Sequence, residues 1–286
     1  MPLTFSTIVP VRRKVHSEGF SYLNLNASSF GGLVDPVLNL DHFRMSERPF
    51  PPRPLAGFAA VTAMLETSPG GFVGRDHLGL RARVGPGGFY GLVSGTGMIA
   101  EEMPYPGTTC EGIHVSINLP AKSKREPPRS FALEPAQVKE WKPNPQVRGR
   151  VYLGKLAGAE SPVQLPIPCS FFEFHVRGKM SVTPRVLAES GGLLYLLSGK
   201  LRLSAGDEIV GLDALQAIGF ANGEKDSEIL IEALEEAHFV FISGRACHEP
   251  VVTHGGFVMS TPAEIEDAIA RYQAGKMGKL EPTVEE

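Results

Sequence analysis

Short apolar segments rich in β-branched and aromatic residues recur along this chain, broken at close intervals by glycine or proline. AAVTAML (59–65), GIHVSINL (112–119) and FFEFHV (171–176) are of this kind, with LLYLLSGKLRLS (193–204), EILIEAL (228–234) and HFVFIS (238–243) further on. Such runs suit strands buried in a sheet. The 32 glycines and 24 prolines are scattered rather than periodic, so they read as turns and not as collagen or low-complexity sequence. In 112–119, Ile113, Val115, Ile117 and Leu119 share one face, and His114, Ser116 and Asn118 the other. Ser198-Gly199-Lys200 reads as the turn of a hairpin within 193–204, and 228–234 with 238–243 as a second consecutive pair.

The expected fold class is therefore all-β: two tandem antiparallel β-barrels with a few short helices. Barrel closure removes exposed strand edges. Residues 1–125 form the first barrel, 126–150 a linker, and 151–286 the second barrel with a terminal helix. The linker reading rests on KSKREPPRSFALEPAQVKEWKPNPQVRGR (122–150), which mixes proline with basic charge and lacks long apolar runs. One short helix is expected in it, over EPAQVKEW. Lys122, Lys124, Arg125 and Arg129 read as solvated charge. Near the C-terminus Thr261 is a natural N-cap, Pro262 follows at the first helical position, and Glu264 completes a capping box. Ile265, Ala268, Ile269 and Tyr272 form an apolar stripe, and Gly275 and Gly278 end the element.

With 286 residues, 42% hydrophobic and 21% charged, the chain fits a soluble globular protein. A net charge of −3 gives no general attraction to nucleic acid or anionic membrane, so neither is an expected partner. No stretch approaches the roughly 20 apolar residues of a membrane span. Arginines and a lysine follow the apolar start of the N-terminus, the wrong order for a secretory signal. Cys110, Cys169 and Cys247 are odd in number and far apart, which favours free thiols in a reducing compartment. The expected location is cytoplasmic, nuclear, or both. No nucleophile elbow and no phosphate-cradling glycine loop is present.

Two segments, PPRPLAGFAAVTAMLE (51–66) and GPGGFYGLVSGTGMIAEEMP (85–104), resemble the pirin family. That family carries His-Pro-His and Arg-Gly-Phe-Glu, then Gly-x-Gly-x-x-His-x-Glu-Met-Pro. VDPVLNLDHF (34–43), GIHVSINLPAKSK (112–124) and EPVVTHGGFVMSTPAEIEDAIARYQAGKMG (249–278) extend the resemblance over most of the chain. It implies a bicupin fold in which three histidines and one glutamate hold an iron ion in the first barrel. The matching positions here are Arg53, Leu55, Ala100 and Glu102, and alanines in AGFAA (56–60) replace the supporting Arg and Glu.

Donor chemistry follows from those identities. Arg53 stays protonated, and Leu55 and Ala100 have no lone pair to give. Glu102 alone is one carboxylate, so no metal cofactor is expected, and an Arg53–Glu102 ion pair is expected in its place. An alternative donor set is Glu102 with His77 and His114, with iron as the cofactor if other residues rebuild the site. His248 and His254 belong to the closing segment and read as structural. His175 has no partner at ligand spacing, in line with the metal-free second barrel that the resemblance implies.

The resemblance implies two functions. One is a regulatory scaffold of the transcription-cofactor kind, which binds a protein partner or a small ligand in the first barrel. The other is a metal-dependent quercetin 2,3-dioxygenase-like oxidoreductase. The donor count favours the scaffold.

Overall fold

A computed structural model describes residues 3–281. The chain is mainly β, and its one described α-helix is Pro262–Gln273. Two compact units divide it. One holds residues up to Arg12, Leu25–Asn39 and Val138–Cys247, and is called here the 138–247 unit. The other holds Arg13–Asn24, Leu40–Gln137 and the chain from His248 onward, and is called the 40–137 unit.

The 138–247 unit contains a seven-stranded antiparallel sheet. Its order is Thr4–Pro10, Gln216–Ala221, Ser190–Ser198, Ala237–Arg245, Cys169–Val176, Val147–Leu153 and Lys139–Asn144. A four-stranded sheet of Ser181–Val182, Leu230–Ala233, Lys200–Ala205 and Glu208–Asp213 accompanies it. Phe172, Phe174, Leu194, Leu196, Phe239 and Phe241 of the larger sheet pack in one core with Leu201, Leu203 and Ile231 of the smaller. That core fixes which face of Cys169–Val176 is inward. Glu173 and His175 alternate with Phe172 and Phe174, so they project from the opposite face.

The 40–137 unit repeats the plan. Its larger sheet runs Arg129–Leu133, Phe89–Val93, Phe58–Met64, Cys110–Asn118, Val37–Met45, Phe20–Asn26 and Arg13–Ser17. Its smaller sheet runs Arg53–Leu55, Met98–Pro104, Phe72–Asp76 and Arg81–Val84. All seven residues of Phe58–Met64 are buried, which explains an apolar run without polar alternation.

Several expectations need correction. Residues 193–204 are not a hairpin: Ser190–Ser198 pairs within the larger sheet, and Lys200–Ala205 within the smaller. Gly199 between them has φ +91°, and a Cβ there would lie 2.3 Å from the Glu236 carbonyl oxygen. Glycine therefore lets the chain change sheets where a two-strand turn was expected. Leu230–Ala233 and Ala237–Arg245 likewise belong to different sheets.

The expected linker is structured. Arg129–Leu133 pairs with Phe89–Val93, and Lys139–Asn144 with Val147–Leu153. Its expected helix is only a 3-10 turn at Pro135–Gln137. Exposed polar residues hid these strands, because each lies at the end of its sheet with a solvated face. The terminal segment from His248 groups with the 40–137 unit rather than with residues 151–247. Its helix carries the expected capping box between Thr261 and Glu264, and Ile265 and Ala268 pack with Ala56, Ile99, Phe257, Met259 and Met277. Tyr272 of the expected stripe stays exposed.

Lys124 is not solvated but 3% exposed. Its Nζ donates to Gly57 O at 2.7 Å, Asn118 Oδ1 at 2.6 Å and Val258 O at 3.1 Å. These bonds tie the strand Cys110–Asn118 and the closing hairpin Val252–Met259 to the turn before Phe58–Met64. Lys124→Met keeps the stem and removes the three hydrogen bonds to Gly57, Asn118 and Val258. It should lower unfolding free energy by about 2–4 kcal/mol. Urea denaturation checks this, and an unchanged midpoint would contradict the assigned role.

Candidate functional site

The 40–137 unit brings the family-matching positions together through strand register. Arg53 stands opposite Ala100, Leu55 opposite Met98, and Glu102 opposite Gly74, while Ala100 also pairs with Asp76. Leu55 and Ala100 are buried. Arg53 is exposed, and its guanidinium carbon lies 4.6 Å over the Phe50 ring. The expected Arg53–Glu102 ion pair does not form. Arg53 keeps its hydration and a cation–π contact, which costs less than burying the guanidinium.

Glu102 has a different partner. Pairing across three strands sets Tyr90, Thr62 and His114 in one row, all directed to the same face. The Thr62 hydroxyl bridges His114 Nδ1 at 2.9 Å and Glu102 Oε1 at 3.3 Å. Tyr90 packs over Gly74, where a Cβ would lie 2.6 Å from the ring. The Tyr90 hydroxyl is buried without a hydrogen-bond partner, as is Asp76 Oδ2. Asp76 Oδ1 accepts instead from the amides of Leu78 and Leu80. Burial raises the Tyr90 phenol well above its usual pKa, and the charges of Glu102 and Asp76 raise it further. Burial and then Glu102 push the Cys110 thiol up to about 12, against its own backbone hydrogen bond.

His77 is not part of this group. Its Nδ1 accepts from the Ile99 amide at 3.3 Å, and its ring fills the space where a Cβ on Gly278 would sit. The alternative set of Glu102, His77 and His114 is thus not gathered to one point, although Thr62 links two of its members.

The 138–247 unit holds a second polar group that sequence reasoning missed. Cys169–Val176 pairs with Ala237–Arg245 so that His175 stands opposite His238. Glu173, two residues from His175, shares its face. His238 Nε2 lies 2.7 Å from Glu173 Oε1, and His175 Nε2 lies 3.4 Å from the same oxygen. The two imidazoles stack with centroids 4.0 Å apart. Tyr152 donates its hydroxyl to Glu173 Oε2 at 2.6 Å. Burial alone would raise the Glu173 carboxyl pKa. Hydrogen bonds from His175, His238 and Tyr152, with the charge of His238, outweigh it and hold the carboxyl well below the usual range. Among the described residues these three side chains form the group of His, Cys, Asp or Glu whose donor atoms all lie within 4.8 Å of one another.

The chain thus holds two antiparallel β units, each with polar groups seated on a buried sheet. Residues 171–278 match the model of the pirin C-terminal cupin domain. Pirin-like protein 2 of Arabidopsis thaliana is 30% identical over 251 residues, which cover 86% of this chain and 76% of that protein. The chain belongs to the pirin family. Its fold is similar to that of a quercetin 2,3-dioxygenase from Acinetobacter baumannii, with TM-score 0.84 at 22% identity, covering 97% of this chain and 99% of that one. It is also similar to a bacterial pirin from Escherichia coli in complex with nickel(II), with TM-score 0.62 at 11% identity, covering 85% and 99%.

The expectation of no metal cofactor is corrected by Glu173, His175 and His238, a group whose donor atoms are close enough together to hold a metal ion. These donors lie in the 138–247 unit, away from the positions at which donor counting looked. The reading of His175 as lacking a partner at ligand spacing is thereby overturned: Glu173 stands two residues before it on the same strand, and His238 joins through the strand ladder.

A buried hydroxyl without a partner costs stability in the free protein. Tyr90→Phe should therefore raise unfolding free energy by about 1–3 kcal/mol. Chemical denaturation measures it, and a loss of stability would show that the hydroxyl is hydrogen-bonded after all.

Proposed function

We propose that this chain is a pirin-like bicupin that acts by binding, as a regulatory scaffold, with the 40–137 unit taking a small polar ligand. The observation that supports this most is the content of the family's iron positions. Arg53 is turned to Phe50, Leu55 and Ala100 are buried hydrocarbon, and Glu102 is engaged by Thr62. The iron that the family implies would find one carboxylate there, so these four residues do not fit it. No step of flavonol oxidation is assigned to them.

The same interior suits recognition. Tyr90 offers an unused hydroxyl and Asp76 an unused oxygen, beside the Thr62–His114–Glu102 bridge. A ligand with both a donor and an acceptor would satisfy them. The three free cysteines agree with a reducing compartment, which supports a cytoplasmic or nuclear setting. No described helix is long and apolar enough to cross a membrane.

The second reading is a quercetin 2,3-dioxygenase-like oxidoreductase. It is favoured by the fold shared with the Acinetobacter enzyme. Turnover separates the two. Protein incubated with iron(II) or nickel(II) should consume quercetin in air no faster than the metal alone, followed by loss of flavonol absorbance. Clear turnover would overturn the binding reading. Arg53→His, Leu55→His and Ala100→His together restore the missing donors. The triple variant should gain about one equivalent of iron(II) by elemental analysis relative to the parent. No gain would mean that the register at Ala100 does not recreate the family site.

A further inference from the structure

The geometry points to Glu173, His175 and His238 as a binding site for a divalent transition-metal ion of the zinc, nickel or cobalt type. Two imidazole nitrogens and one carboxylate oxygen form a donor set for borderline cations rather than for magnesium or calcium. The set is built rather than incidental, for three reasons.

First, register fixes it. Glu173 and His175 project from one face of Cys169–Val176, and the ladder places His238 directly across from His175. Both Nε2 atoms already face the same carboxylate oxygen. A cation that takes the place of the proton now shared along these contacts needs only small side-chain shifts, to roughly 2.0–2.2 Å from each donor atom.

Second, the carboxylate is held from behind. The Tyr152 hydroxyl binds Glu173 Oε2 and leaves Oε1 turned toward the histidines. Such outer hydrogen bonds orient metal-binding carboxylates and strengthen a site.

Third, access and charge are compatible with an ion. The Glu173 side chain is 1% exposed, whereas those of His175 and His238 are 29% and 17% exposed. The donor atoms thus lie inward, with His175 Nε2 itself buried, while the outer edges of both imidazoles reach solvent. Arg148 and Arg150 stand opposite His175 and Glu173 on Val147–Leu153 and would oppose a cation. Glu140 on Lys139–Asn144, 3.7 Å from each guanidinium and also paired with Lys142, offsets only part of that charge.

Calorimetric titration of chelator-treated full chain with zinc(II), nickel(II) or cobalt(II) tests the proposal, with magnesium(II) as control. One equivalent should bind, and magnesium should not compete. His175→Ala, His238→Ala and Glu173→Gln should each weaken binding by about tenfold or more, and Tyr152→Phe by less. His175→Gln serves if an alanine variant fails to fold, since the amide keeps much of the side-chain volume. Cobalt(II) absorption should change with these variants but not with Glu102→Gln. Three results would overturn the proposal. One is no bound equivalent. Another is binding that survives all the histidine and glutamate changes. The third is binding that Glu102→Gln abolishes while His238→Ala leaves it intact.

Discussion

The register between Cys169–Val176 and Ala237–Arg245 is the constraint on which the candidate metal centre depends. It sets His175 against His238, and it keeps Phe172 and Phe174 on the face that packs with Phe239 and Phe241. A slip of one residue would drive Glu173 and His175 into that aromatic core. The cost of such a slip is therefore the whole core of the unit. Stability and site geometry are specified by the same ladder, which is why a Glu–His–His group can persist in a setting rich in phenylalanine.

The 40–137 unit follows the same logic with a different outcome. Its register aligns Arg53, Ala100 and Glu102, positions that the sequence resemblance matches to iron ligands, on neighbouring strands. Arg53 lies over the Phe50 ring, and Glu102 accepts from the Thr62 hydroxyl. Polar chemistry in this interior now centres on Tyr90, Thr62, His114 and Asp76. On the proposed reading, one unit offers a polar interior for recognition and the other a sheet face for a cation. Neither arrangement requires a change in fold, because strand alternation decides what each face presents.

Much of the fold was legible in the sequence. The β-rich runs, the family segments and the capping box of Thr261 and Glu264 all carry local signals. What failed was long-range. Ser198-Gly199-Lys200 has the chemistry of a hairpin turn, yet Gly199 passes the chain from one sheet to another. Arg129–Leu133 and Lys139–Asn144 looked like linker because charge and proline crowd the sequence around them, although each is a strand at the end of its sheet. Lys124 read as surface charge, because nothing near it in sequence shows that Gly57 and Val258 supply its acceptors. For the site, donor types at 53, 55, 100 and 102 could be read directly. The partnership of His238 with Glu173 could not, since it exists only after the sheet has formed.

The most direct measurement is anomalous diffraction from crystals of the full chain grown with zinc(II), recorded on both sides of the zinc edge. The account predicts a peak within roughly 2.0–2.2 Å of an imidazole nitrogen of His175 and of His238, and of a Glu173 oxygen. A peak bonded to Glu102, with none between His175 and His238, would contradict it.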